Sequence, residues 1–469
     1  MSVTRAHAWR DRWADVRRSF LDFLAVPTLT VIAFVLLAVV TYLMDRQPVG
    51  WLEPTRHFLR EHFIDEAGKT ESLLGTIAGS LVTLTSITFS LLLLAVQQSA
   101  AALTTQVLDQ FVRRRDNQVY FGVFVGASVY ALLILSANST QVTPVFGASV
   151  ALLVAIGALL SLVLLLYSTL NQMRPIRIVE AIHDLTLVAR AGQLPLIART
   201  MREPAFHDAP VVLPVRAEDD GHLTLIRLQR IAEALDGASG RCEVVIRPSL
   251  GEYVCYHEAL AEVRATSRED AERVAVATRS ALRLERQRDF RHDAAYGIDQ
   301  LATIAWVSIS TAKSNPAPAL AALRNLRDLA ARWSEPQHTP DASAPPLPVA
   351  YRDTVLTDLI GTFESTAVVT SESMQHQSLA EVVRSFADLL RWLPSDLQPR
   401  LDDAIRRIPT AIGDHVLTAE LQDALLALCD ALLEVGRPDT ERLIRRSLDR
   451  MADLIGSYES RGSRGRSRD

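Results

Sequence analysis

Lysine is nearly missing from this chain: of 49 basic residues only Lys69 and Lys313 are lysines. Such an arginine bias fits the codon usage of a high-GC bacterium better than a binding role. Cysteine is equally scarce. Cys242, Cys255 and Cys429 lie far apart, which argues against a disulfide framework or a metal knuckle, and they are read as buried thiols. Charge of either sign is absent from four stretches, residues 23–44, 73–96, 119–135 and 145–167. Each approaches the ~20 residues that a helix needs to cross hydrocarbon. The roughly 290 residues that follow contain no comparable run, so the chain divides into a membrane half and a soluble half.

Orientation follows from arginine placement, because basic residues beside spans are retained on the cytoplasmic side. Arg5, Arg10, Arg12, Arg17 and Arg18 precede the first run, Arg113, Arg114 and Arg115 lie between the second and third, and Arg174 and Arg177 follow the fourth. Residues 136–144 carry no charge. Both termini are therefore expected in the cytoplasm and the protein in the plasma (inner) membrane. The connection at 45–72 holds Arg46, Arg56, Arg60 and Lys69 among six acidic residues, which weakens this orientation without reversing it. The first run is longer than a signal-peptide core and lacks a small-residue cleavage site, so it is expected to stay as an anchor.

No Gly or Pro falls between Ser80 and Phe121, so the second membrane helix is expected to run on past Gln97 towards an anchor at Arg113, Arg114 and Arg115. At 100° per residue, Ser72, Thr76, Gly79, Ser80, Thr83, Ser86, Ser90 and Gln97 share about a third of its circumference. This uncharged stripe of small polar residues fits two readings. One is close helix packing through small-xxx-small pairs such as Gly75 with Gly79 and Gly122 with Gly126. The other is a wet pore lined by hydroxyls where several copies meet. No ionisable residue interrupts the four cores, which disfavours a proton relay or ion-coupled pump.

In the soluble half, residues 176–202 have helical spacing. Residues 211–215, 222–228, 242–247 and 252–263 read as strands separated by Asp219-Asp220-Gly221, Asp236-Gly237 and Pro248-Ser249-Leu250-Gly251. Ser249-Leu250-Gly251-Glu252-Tyr253-Val254 resembles the turn of a biotinyl/lipoyl barrel-sandwich, though without a modifiable Lys. Helices are expected over 267–284, 296–311, 318–333, 352–369, 379–393, 398–407, 418–433 and 439–458. The expected fold class is an α-helical membrane protein with four transmembrane helices, followed by a cytoplasmic α+β region: a small β module of barrel-sandwich type, then a mostly α-helical bundle. The segments are 1–22 cytoplasmic, 23–168 transmembrane, 169–210 connecting helix, 211–265 β module, 266–334 helical, 335–350 Pro-rich linker, 351–458 helical and 459–469 a disordered basic tail.

Little in the sequence suggests chemistry. Gly68-Lys69-Thr70 lacks the upstream Gly and strand of a phosphate loop. His257-Glu258 lacks the second His of a zinc-protease helix. No catalytic, cofactor-binding or metal site is expected, nor an enzyme. Past Arg177 the chain carries 35 basic against 43 acidic residues, which disfavours nucleic acid as a partner. The expected partners are the lipid bilayer and further copies of the chain.

Three motifs together, Leu73-Leu74-Gly75-Thr76-Ile77-Ala78-Gly79-Ser80, Arg115-Asp116-Asn117-Gln118 and Tyr296-Gly297-Ile298-Asp299-Gln300-Leu301, resemble the bacterial membrane proteins grouped as domain of unknown function 2254. The resemblance covers roughly residues 20–330. It implies the membrane architecture and leaves activity open. Where that family tends to a Ser-Pro-Gly-x-Asn-Asp-Pro-like turn, this chain has Ser310-Thr311-Ala312-Lys313-Ser314-Asn315-Pro316, so the resemblance carries over no site at that turn.

Overall fold

The computed structural model describes residues 3–46, 53–62, 67–102, 115–138, 144–172, 175–288, 290, 292–310, 316–335, 345–413 and 416–465. Contacts divide the chain into two units, Met1–Arg174 and Pro175–Asp469.

The first unit contains α1 (Val3–Arg46), α2 (Glu53–His62), α3 (Ala67–Ala102), α4 (Arg115–Ala137) and α5 (Val145–Gln172). Four stretches are long and apolar enough to cross a membrane: Leu24–Arg46, Thr70–Leu91, Gln118–Ala137 and Val145–Ser168, with mean hydropathies of 2.5, 1.5, 2.0 and 2.8. The buried share of the third is 44%, against 17–28% for the others, which makes α4 the central helix. It packs against α1, α3 and α5. Small residues allow this. A Cβ on Gly122 would press on Pro27 and Thr30 of α1, and one on Gly126 would overlap the Phe34 ring. Pro27, which cannot donate a backbone hydrogen bond, lies inside α1 at the Gly122 contact.

Phe124, Ala127, Tyr130, Ala131 and Ile134 of α4 are fully buried among Leu74, Ile77, Ala78 and Leu81 of α3 and Ala148, Ala151 and Ala158 of α5. Polar groups are tied into this core as well, among them the Tyr130 hydroxyl, which donates to the Gly147 carbonyl at 3.1 Å. The Asp45 carboxylate at the end of α1 accepts from the backbone N–H of Phe146 and of Gly147, both at 2.9 Å, and so caps the first turn of α5. Outward-facing Leu29 and Leu36 of α1 and Leu153, Leu160 and Val163 of α5 stand exposed, as side chains bathed in lipid should.

The second unit opens with α6 (Pro175–Arg199). It continues through β1 (Val211–Arg216), β2 (Gly221–Ile226), α7 (Leu228–Asp236), β3 (Cys242–Ile246), β4 (Tyr253–Val254), β5 (Ala259–Ala265), α8 (Arg268–Ala281) and β6 (Leu282–Glu285). Two sheets form, in orders β1-β5-β3-β7 and β4-β2-β6, where β7 is Val349–Ala350. Strands β1 and β3 flank β5 antiparallel, and β7 joins β3 in parallel with Val244 opposite Val349.

The expected barrel-sandwich is not what forms. Helix α8 lays Ala271, Val274 and Ala281 on the sheet core, and α7 adds Ile231 and Leu235. Both sheets also recruit strands from outside residues 211–265. Strand β6 was read as the end of a helix, and β7 as the end of a Pro-rich linker. Ser267 caps α8 by accepting from the Asp270 N–H. The Asp270 carboxyl is held below its ordinary range, chiefly by the Ser239 amide.

The remaining helices are α9 (Ala294–Ser310), α10 (Pro316–Ser334), α11 (Val355–Glu372), α12 (His376–Trp392), α13 (Gln398–Ile412), α14 (Ala419–Glu434) and α15 (Pro438–Gly465). Helix α9 is the hub, touching α6, α10 and α11. Gly297 sits so close to Thr186 of α6 that any Cβ would clash with it, which explains a Gly in the middle of a buried helix. Arg190 of α6, buried, pairs with Asp353 at 2.6 Å and lies 5.4 Å from the Trp333 ring centre. The segment expected to be a disordered tail from residue 459 is helical as far as Gly465, since no Pro interrupts it. Residues 466–469 and 311–315, the latter holding most of the altered turn, fall outside the described residues.

Candidate functional sites

Helix α3 uses only one of its faces inside the protomer. Leu74, Ile77, Ala78, Leu81 and Thr88 are buried, whereas Ser72, Thr76, Gly79, Ser80, Thr83, Ser86 and Ser90 are all exposed. At 100° per residue the two sets centre roughly 180° apart. The stripe is thus not spent on packing within one chain. A Cβ on Gly75 or Gly79 would meet nothing within 4 Å, in contrast to Gly122 and Gly126. Of the two small-xxx-small pairs, the one on α4 is the intramolecular contact.

The hydroxyls along the stripe already have a use for their protons. Thr76 donates to the Ser72 carbonyl at 2.8 Å, Thr83 to Gly79 at 2.9 Å, Ser86 to Val82 at 3.1 Å and Ser90 to Ser86 at 3.0 Å. With each proton turned into the helix, the oxygen lone pairs face outward as acceptors. Ile87 and Leu94 lie within the same arc and are exposed, so the stripe has two apolar interruptions. Helix α3 continues 11 residues beyond the span's end at Leu91, roughly 16 Å. Gln97 lies on that extension, with its side chain outside the described residues, as are residues 103–114 with Arg113 and Arg114. Arg115 opens α4, its side chain likewise outside them.

The second site lies within the second unit, where two of the sequence motifs meet. A cleft of about 850 Å³ opens between the Ser249-Leu250-Gly251-Glu252 turn, α9 and α11. Gly251, at φ +90°, lets the turn approach Arg288 and Asp293, and a Cβ there would lie 2.5–2.7 Å from their polar atoms. Leu250 N–H donates to the Tyr351 hydroxyl at 3.1 Å, and burial pushes that phenol's pKa far up. Arg288 donates to Asp293 through Nε at 2.6 Å and Nη2 at 3.0 Å, and to Asp299 through Nη1. Burial alone would lower the guanidinium's pKa, but these two carboxylates outweigh it and hold it up. Asp299 and Asp358 are both raised, first by burial in the cleft walls, although each stays open to water.

Other sequence candidates resolve simply. Residues 67–70 are the first turn of α3, not a phosphate loop. His257 sits in a turn at φ +67° between β4 and β5, off any helix. Among the described residues no three His, Cys, Asp or Glu side chains converge as metal ligands. Cys242 and Cys429 are buried, and burial pushes the Cys429 thiol to about 11. Cys255, expected to be buried, is exposed in the β4–β5 turn.

A family model described as predicted membrane protein DUF2254 matches residues 21–363, spanning all four apolar helices, the α9 wall of the cleft and the first part of its α11 wall. The chain belongs to that family. No curated protein and no solved structure matches it. The DUF2254 match ends within α11, just past Asp358 and Thr362, so α12 to α15 lie beyond it.

Proposed function

We propose that this DUF2254 protein is a plasma-membrane homo-oligomer in which the α3 stripes of several copies surround a passive path for ions or small solutes. The second unit lies in the cytoplasm as the gate, and the role is non-enzymatic. One observation carries the reading: Thr76, Gly79, Ser80, Thr83, Ser86 and Ser90 form an exposed polar face on a membrane helix, opposite the face that α3 buries. Hydrocarbon is a poor neighbour for such a face, and one four-helix protomer is too small to enclose a wide path alone. The outward lone pairs would favour cations over anions. Four crossings return the chain to its starting side, and the arginines at both ends of the membrane half favour the cytoplasm for that side.

A non-transporting scaffold or sensor is the second reading. It is favoured by the same hydrogen bonds, since hydroxyls satisfied by their own helix also tolerate a dry interface between copies. Conductance of the purified protein in planar bilayers, with its native mass in detergent, separates the two. An oligomer that conducts supports the channel, an oligomer that does not supports the scaffold, and a silent monomer removes the channel. Topology is checked by reporters active only outside the cell, fused at Ser139 and Gly456. Activity at Gly456 would reverse the orientation.

A further inference from the structure

We propose that the cleft between α9 and α11 binds a small organic ammonium ion bearing N–H donors, held by Asp358 beside the indole of Trp306. The site is separate from the α3 stripe and does not depend on the channel reading. At about 850 Å³ the cleft is within the range of small-molecule pockets.

Its charges are unequally committed. Arg288 is held by Asp293 and Asp299, and Arg400 donates to Glu364 at 3.0 Å, so each cation already faces a carboxylate. Asp358 forms no ion pair among the described residues. Its carboxylate accepts the Thr354 hydroxyl at 3.0 Å. The uncommitted charge facing the cleft is therefore negative.

The hydroxyls decide the ligand's hydrogen-bonding sense. Thr303 donates to the Asp299 carbonyl at 2.7 Å, Thr362 to the Asp358 carbonyl at 2.9 Å and Ser365 to the Thr362 carbonyl at 3.0 Å. With their protons turned into α9 and α11, these groups offer the cleft lone pairs only. A wall of acceptors and carboxylates suits a ligand rich in donors. Among the described residues no third His, Cys, Asp or Glu joins the carboxylates in a metal-sized site. Trp306, 54% exposed on the cleft wall with Val369 opposite, supplies apolar and cation–π surface for a carbon-bearing cation.

The test is calorimetric titration of the full-length protein in detergent at physiological salt with putrescine and spermidine, beside choline, which lacks N–H donors, and citrate. Saturable binding of spermidine or putrescine is expected, with choline weaker and citrate silent. Asp358→Asn and Trp306→Ala should each weaken it about tenfold, the scale of one charge-assisted contact. Retained helicity by circular dichroism shows that both variants fold. No saturable amine binding, binding unchanged by both substitutions, or citrate binding more tightly than the amines would overturn the proposal.

Discussion

Phe34 of α1 fills the space that a side chain on Gly126 of α4 would need. The same residue type at Gly79 of α3 faces nothing. Gly126→Leu should therefore disrupt the α1–α4 contact and cost about 1–3 kcal/mol or more of protomer stability through overpacking. Gly79→Leu should leave protomer stability within about 0.5 kcal/mol, yet lower the native mass to that of a monomer. Denaturant unfolding in detergent and native mass spectrometry of the two variants check this.

Asp45 satisfies two N–H groups that α5 cannot satisfy itself. Asp45→Ala should cost about 1–3 kcal/mol because both donors are left buried. Asp45→Asn keeps one acceptor and should fall between. The unfolding midpoints of the three proteins in a detergent titration give the order.

Asp358 provides a pH signature of opposite sign to an ordinary salt bridge. Burial raises its pKa above 3.8, Asp299 and Asp353 add to the rise, and Thr354 and Arg288 oppose it. A folded value above the unfolded one means that this group's stabilising contribution is fully present below pH 3.8 and is lost as pH rises through the folded value. The ionised carboxylate is thus a cost at neutral pH. Asp358→Asn should melt at the wild-type temperature or up to about 2 °C higher at pH 7, with the difference vanishing below pH 3.8. A melting temperature that falls at pH 7 would contradict this assignment.

The proposed gating would use the extension of α3 past Leu91 as a stiff lever. A Pro at Ala101 would break that helix locally at about 3 kcal/mol. Insertion should survive, and conductance should lose its regulation by the second unit. Bilayer recordings of wild type beside Ala101→Pro measure it, and unchanged gating would discard the lever while keeping the pore.

The membrane half was legible because length and the absence of charge in four runs leave few alternatives, as in Val145–Ser168. What the stripe faces was not, since Gly75–Gly79 and Gly122–Gly126 share one spacing and only packing shows that Gly126 is covered and Gly79 is not. In the second unit, the helices from Ala294 onward follow the apolar period, and the strands expected at 211–215, 222–228, 242–247 and 252–263 form as β1, β2, β3 and β4 with β5. The elements not legible there are α7, β6 and β7. Leu228, Ile231, Ala232 and Leu235 carry a helical period over only nine residues, and Val349–Ala350 is a strand only because β3 offers it an edge. The cleft could not be found from sequence, because Gly251, Asp299 and Asp358 lie far apart in the chain and no motif spacing joins them. A positive-φ glycine beside an arginine with two carboxylate partners is a tertiary signal.

The central claim is that the α3 stripe faces water at the meeting of several copies. Single cysteines at Thr76, Thr83 and Ser90, in a background lacking the three native cysteines, should react with a membrane-impermeant thiol reagent applied to both sides of native membranes. Cysteines at the lipid-facing Leu36 and Leu160 should not. Silence at all three stripe positions, with a reactive control at Ser139, would show the stripe to be dry and contradict the account.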